Sequence, residues 1–136
     1  MVDPVPQDIL DMVAYAASKG VKLMAYVYPC LGFQAVPDAL IGGSANLANQ
    51  QYQDWLLETL LAFMNVTGAG GYAWDHDIFA GGAELRYAQW RGWMRILATL
   101  RAHYPDMVMD HRQTAHAWGP WYQLAGSYLE PIAGGK

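Results

Sequence analysis

Apolar positions along the chain alternate between helical spacing and short unbroken runs. From Pro6 to Ser18, Ile9, Leu10, Met12, Val13, Ala16 and Ala17 fall on one helical face. Pro4 or Pro6 and Asp8 suit its first turn, and Gly20 is a plausible stop. Val21 to Tyr28 (VKLMAYVY) is a short aliphatic and aromatic run closed by Pro29, the pattern of a buried parallel strand. The Gly- and Pro-bearing stretch from Cys30 to Ala45 predicts a loop long enough to be functional. Helical spacing returns from Asn49 to Val66, where Trp55, Leu56, Leu60, Phe63 and Met64 form the apolar stripe and Gly68, Gly70 and Gly71 end it. Gly71 to Asp75 (GYAWD) predicts a second strand. A third helix follows from Glu84 to His103, with Trp90, Met94, Leu97 and Leu100 on its core face, and is broken by Pro105. Asp106 to Asp110 (DMVMD) predicts a third strand, and His111 to Lys136 is aromatic and glycine-rich without a period.

Helix, short turn and buried strand, three times over, is the signature of parallel α/β architecture. Residues 1–136 therefore read as a single α/β domain: three consecutive αβ units of a partial (β/α)8 TIM barrel, with an aromatic C-terminal loop. A small open parallel sheet or a doubly wound sheet satisfies the same pattern. The barrel is favoured by polar residues at the carboxyl end of every strand, namely Tyr28, Asp75 to Asp77, and Asp110 to Arg112. In a barrel those ends converge on one mouth. Three strands do not close a barrel that ordinarily needs eight, so the chain is expected to be a fragment, or to self-associate through its open sheet edges.

Composition narrows the classes. Hydrophobic residues at 54% against charged residues at 15% exclude a disordered chain. A net charge of −4 with scattered Lys and Arg excludes a nucleic-acid footprint. No apolar run approaches ~18 residues, so no membrane partner is expected, and Met1 to Pro6 lacks a basic-then-apolar leader. Cys30, the one cysteine, permits no internal disulfide, which fits a reducing, cytoplasmic compartment.

Three clusters carry chemistry. Trp74-Asp75-His76-Asp77 stands at the end of the second strand, before Gly81-Gly82. A carboxylate there can attack an anomeric carbon or bind a cation, and a neighbouring Trp can stack on a sugar face. If the strand continued, Asp75 and Asp77 would point to one side and His76 to the other. The structural alternative is an aspartate that caps the next helix or pairs with Arg86 or Arg91. The second cluster is Asp110-His111-Arg112, with a structural ion pair as its alternative; Arg112 there is placed to bind hydroxyls or to depress a neighbouring carboxyl pKa. The third is the tail, where Trp118, Trp121 and Tyr122 surround Gly119-Pro120 as a rigid aromatic turn. Such a turn suits a pyranose ring, or equally folds its rings into the core.

At these residues the chain resembles the α-galactosidase (melibiase-like) glycoside hydrolases. In that group the fourth barrel strand ends in Lys-Tyr/Trp-Asp, and Gly71-Tyr72-Ala73-Trp74-Asp75 falls in the matching place, with Ala73 standing where the family has lysine. The resemblance implies glycosidic-bond hydrolysis by a retaining double displacement with Asp75 as nucleophile. A second carboxylic acid about 5–5.5 Å away would be the proton donor. The family's acid lies on its sixth strand, beyond Lys136, so within this chain Asp110 and Glu130 are the stand-ins. The resemblance further implies that Trp74, Trp118 and Trp121 frame the sugar and that His111 and Arg112, with Asp77, hold its hydroxyls. The partner is then a carbohydrate, and no cofactor or metal is needed.

Two other readings stay open. His76, His111 and His116 with Asp75, Asp77 and Asp110 have the donors for a divalent-metal hydrolase acting, for example, on phosphate esters, although no His-Glu-x-x-His or paired Cys-x-x-Cys occurs. A non-catalytic carbohydrate-binding piece is the third. No Gly-x-Ser-x-Gly elbow or phosphate-binding loop is present, which disfavours serine-hydrolase and nucleotide chemistry.

Overall fold

A computed structural model describes residues 4–31, 36, 40–75 and 79–111. Three helices form where the spacing predicts them: α1 (Gln7–Ser18), α2 (Gln50–Thr67) and α3 (Ala83–His103). Their ends have local causes. Gly20, at φ 72°, closes α1: its N–H bonds to Ala17 O at 3.0 Å and the Val21 N–H to Ala16 O at 2.9 Å, the two bonds of a Schellman motif. At the start of α2 the Asn49 side chain accepts from the Tyr52 N–H at 3.1 Å, and Gly68 ends that helix in the left-handed region. Helix α3 has Glu84 in its first turn and Arg101 and His103 in its last, matching its dipole at both ends.

The strands are shorter than predicted. β1 (Met24–Val27), β4 (Gly71–Trp74) and β5 (Val108–His111) make a parallel sheet in the order β1-β4-β5, with Tyr26, Ala73 and Asp110 in one cross-strand row and Val27, Trp74 and His111 in the next. His111 thus belongs to a strand, not to the tail. The predicted loop also holds a hairpin, β2 (Leu40–Ile41) with β3 (Ser44–Ala45). Its turn is Gly42-Gly43, both at positive φ, the two-glycine connection that favours a tight antiparallel turn. Ala45 N–H then bonds to Cys30 O at 3.0 Å, which ties the hairpin to the end of β1's extension.

The two faces of the parallel sheet differ. Tyr72, Trp74, Met109 and His111 are buried, and Ala25 and Val27 lie partly buried beside the same core. Both crossover helices cover this face. Phe63 of α2 packs on Tyr72 with ring centres 6.3 Å apart, Tyr72 stacks on Trp74 at 4.8 Å, and Trp74 meets Trp93 of α3 edge-on at 4.9 Å. The Tyr72 hydroxyl donates to Leu60 O of α2 at 2.7 Å, and the Tyr52 hydroxyl to Pro29 O at 3.0 Å. The other face leaves Met24, Tyr26 and Val108 exposed. Among the described residues helices cover one face only, as in barrel-type winding; a doubly wound sheet is covered on both.

The core face of α3 differs from the predicted one. Gln89, Gly92, Trp93, Ile96 and Leu100 are its buried residues, and Trp90, Met94 and Leu97 flank them half-buried. The helix rolls this way because Gly92 lets α3 sit against the chain before α2. A Cβ on Gly92 would lie 1.9 Å from Leu47 O and 2.5 Å from Gln53 Nε2, and that amide itself donates to Leu47 O at 2.8 Å. Arg95 adds a bond to Gln53 Oε1 at 3.0 Å and an exposed ion pair with Asp54 at 2.8 Å, the latter contributing well under ~1 kcal/mol.

Gly92→Ala is therefore expected to destabilise the chain by about 1–3 kcal/mol, the usual cost of overpacking a close helix contact, read as a lower urea midpoint. Burial, with Cys30 and Tyr104 as secondary contributors, holds the Tyr52 and Tyr72 phenols well above the ordinary value of 10.0. Both stay neutral in the fold while the unfolded tyrosines ionise near that value. Their contribution is complete at neutral pH and is lost as pH rises above it. Tyr72→Phe should flatten the alkaline fall in stability and cost about 1 kcal/mol at neutral pH, measured by denaturant titration across the pH range.

Candidate active site

Strand β4 positions the central carboxylate. Tyr72 and Trp74 point into the helix-covered layer, and strict alternation sends Gly71, Ala73 and Asp75 to the open face. The Asp75 N–H continues the ladder to Val27 O at 2.9 Å, so its backbone is held like that of a strand residue. Its side chain is 1% exposed, and the Tyr26 hydroxyl donates to Asp75 Oδ2. Tyr26 is half exposed and meets Tyr28 edge-on at 5.2 Å. Past Asp75 the chain returns as buried Phe79, and Ala80 O is held by the Gln89 side chain of α3 at 2.7 Å.

Asp110 lies on the same open face, one strand over and level with Ala73. The strand spacing and rise put its Cα about 8 Å from that of Asp75. The two carboxylates thus flank one end of the sheet, the carboxyl end, and Asp110 is partly buried. Tyr26, the third polar group on this face, was not singled out in the sequence, although its two-residue spacing from Tyr28 puts both rings on one side of the strand.

Two expected site residues lie in the covered layer instead of on the open face. Trp74 is fully buried, stacked on Tyr72 and edge-on to Trp93, and packs with the core. His111 is fully buried too, with its ring centre 6.4 Å from that of Trp74 in the helix-facing layer. It does not reach the face that carries Asp75 and Asp110. The same separation splits the proposed metal donors, and among the described residues no three His, Cys, Asp or Glu side chains are grouped to hold an ion. His76, Asp77, Arg112, His116, Trp118, Trp121 and Glu130 lie outside the described residues. Helix α3 begins after Gly82, which has no side chain to cap it. A cleft of about 290 Å³ lined by Lys22, Gly70, Tyr104 and Met107 opens at the amino-terminal ends of the strands. It is at the wrong end for this chemistry, since barrel-type sites form at the carboxyl ends.

The fold is similar to part of several solved structures of glycoside hydrolases. The glycoside hydrolase domain of PelA from Pseudomonas aeruginosa superposes with a TM-score of 0.60 at 22% identity, over 76% of this chain and 48% of that one. An α-galactosidase from Lactobacillus brevis gives 0.64 at 17% identity, over 76% of this chain and 18% of that one. A maltogenic α-amylase, AmyB, from Thermotoga neapolitana gives 0.68 at 8% identity, over 90% and 31%. The chain spans less than half the length of each of these structures. No protein-family model and no curated protein matches it.

If Trp74 is core, Trp74→Ala should cost about 3–5 kcal/mol, seen as a large drop in the urea midpoint. A ligand platform would instead tolerate the change with little loss of stability.

Proposed function

We propose that this chain carries part of a glycoside hydrolase active site, with Asp75 as the carboxylate that attacks the anomeric carbon. The reading rests on one observation above the others. The strand-end carboxylate on the open face is almost fully buried and takes a phenolic hydrogen bond from a neighbouring strand. A buried ionisable group held this way at a strand's carboxyl end is the arrangement expected of a reacting group. The glycoside hydrolases that share the fold support the reaction class.

In the proposed reaction Asp75 bonds to the anomeric carbon while the glycosidic C–O bond breaks. The leaving oxygen takes a proton from Asp110, the carboxylic acid on the adjacent strand. Water then attacks the glycosyl ester, losing its proton to Asp110 and freeing Asp75. α-Galactosides are the first substrates to test, because Tyr72-Ala73-Trp74-Asp75 follows the α-galactosidase pattern except at Ala73. Alanine there removes the family's cation, so preference for other glycosides is part of the test.

The experiment is a panel of 4-nitrophenyl glycosides and 4-nitrophenyl phosphate, run on the chain and on Asp75→Asn. Release of nitrophenol from at least one glycoside, lowered about a thousand-fold or more in the variant with an unchanged circular dichroism spectrum, is the expected result. Equal turnover by the variant would remove Asp75 from the chemistry. Turnover of the phosphate alone, abolished by a chelator, would transfer the site to a metal-dependent hydrolase.

A further inference from the structure

The hydrogen bond between Tyr26 and Asp75 follows from a three-residue geometry. Tyr26 on β1 is directly opposite Ala73 on β4, and Asp75 lies two residues past Ala73, just beyond the end of β4, on the same face. Asp75 is therefore the diagonal neighbour of Tyr26, at a separation that aromatic side chains can span. The ring reaches across only because its direct neighbour is a methyl group. A long side chain at position 73 would rise into the same space. Gly71, one pleat further back at φ 151°, has a different constraint: a Cβ there would run into the backbone of β5, 1.8 Å from Val108 O. The smallness of Ala73 leaves the open side of β4 beside Tyr26 to the phenol.

From this we infer that Tyr26 is a positioning residue for Asp75, fixing its carboxylate through Oδ2 and favouring its ionised form, in the space that a longer residue at 73 would fill. A phenol that donates to a carboxylate stabilises the charged state over the neutral one. It also selects which oxygen is held, leaving the orientation of the other defined by the same bond. Tyr26 does not touch the reacting carbon in this scheme; it acts through Asp75. The inference rests on Asp75 being the reacting carboxylate for its catalytic meaning, but the control of Asp75 ionisation stands or falls by itself.

The test is therefore a titration, not an assay. The 136-residue chain, labelled with aspartate ¹³C at Cγ, is titrated by NMR as wild type and as Tyr26→Phe, and Asp75→Asn identifies the resonance. Tyr26 is half exposed, so the loss of its hydroxyl leaves the fold in place, which thermal unfolding verifies. The Asp75 midpoint should move up by about one pH unit in Tyr26→Phe, the size expected for one lost charge-assisted hydrogen bond. A second measurement is the double-mutant cycle on unfolding with Tyr26→Phe and Asp75→Asn, which should be non-additive. A midpoint within about 0.3 of wild type, or additive effects in the cycle, overturns the inference. A shifted midpoint in a chain that cleaves no glycoside upholds it and discards the glycosidase reading instead.

Discussion

The structure depends on the two-residue period of the central strand. β4 has neighbours on both edges and helices on one face, so its side chains have only two destinations. Tyr72 and Trp74 go under the helices, where Phe63 and Trp93 complete a continuous aromatic layer. Asp75 must then go the other way. Burying two large rings contributes several kcal/mol in favour of this register, and a slip by one residue would exchange rings for a carboxylate in the core. The hydrophobic layer thus determines where the carboxylate is presented, although it never touches it.

The same constraint links packing to the candidate chemistry across the sheet. Helices on one face only leave the opposite face to Tyr26, Asp75 and Asp110, with Ala73 between the outer two in its row. Polar hydrogen bonds reinforce the register from the covered side. Tyr72 is anchored to α2 through Leu60 O, and Gln89 of α3 holds Ala80 O beyond the strand end. Asp75 therefore has a strand ladder before it and, further along the chain, the Ala80 carbonyl held by Gln89. Such restraint of the backbone is what a reacting group requires if its geometry is to be kept without reorganisation.

Much of this was legible in the sequence. The spacing of Leu56, Leu60 and Met64, the stop at Gly20 and the run GYAWD place α2, α1 and β4 within a few residues of where they lie. The α3 face was misjudged because Gly92 reads as a weak helix residue, whereas its missing side chain decides which side of the helix can approach Leu47. The β2–β3 hairpin was hidden in a loop although Gly42-Gly43 is a hairpin turn. At the site, alternation applied to Asp75 and Asp77 was not carried one residue back to Trp74, nor one strand over to His111. Both follow from the same parity. Tyr26 was invisible for another reason: its partnership with Asp75 is set by the cross-strand register, and the register between β1 and β4 has no local signature.

Burial sets Asp75 apart from an ordinary surface carboxylate. Removing a carboxylate from water carries a large desolvation cost unless hydrogen bonds or charges offset it. An aspartate serving only to start a helix would be found at the helix, yet α3 begins at Gly82 without a side-chain cap. The alternative arginines, Arg86 and Arg91, are exposed on α3. Asp75 instead occupies the open face, bonded by a phenol that is itself half in water. An asparagine or serine would accept the same bond with a smaller desolvation cost. What those residues do not supply is a negative charge in a place where solvent is largely excluded. It is useful where positive charge develops during a reaction, as at an anomeric carbon losing its leaving group.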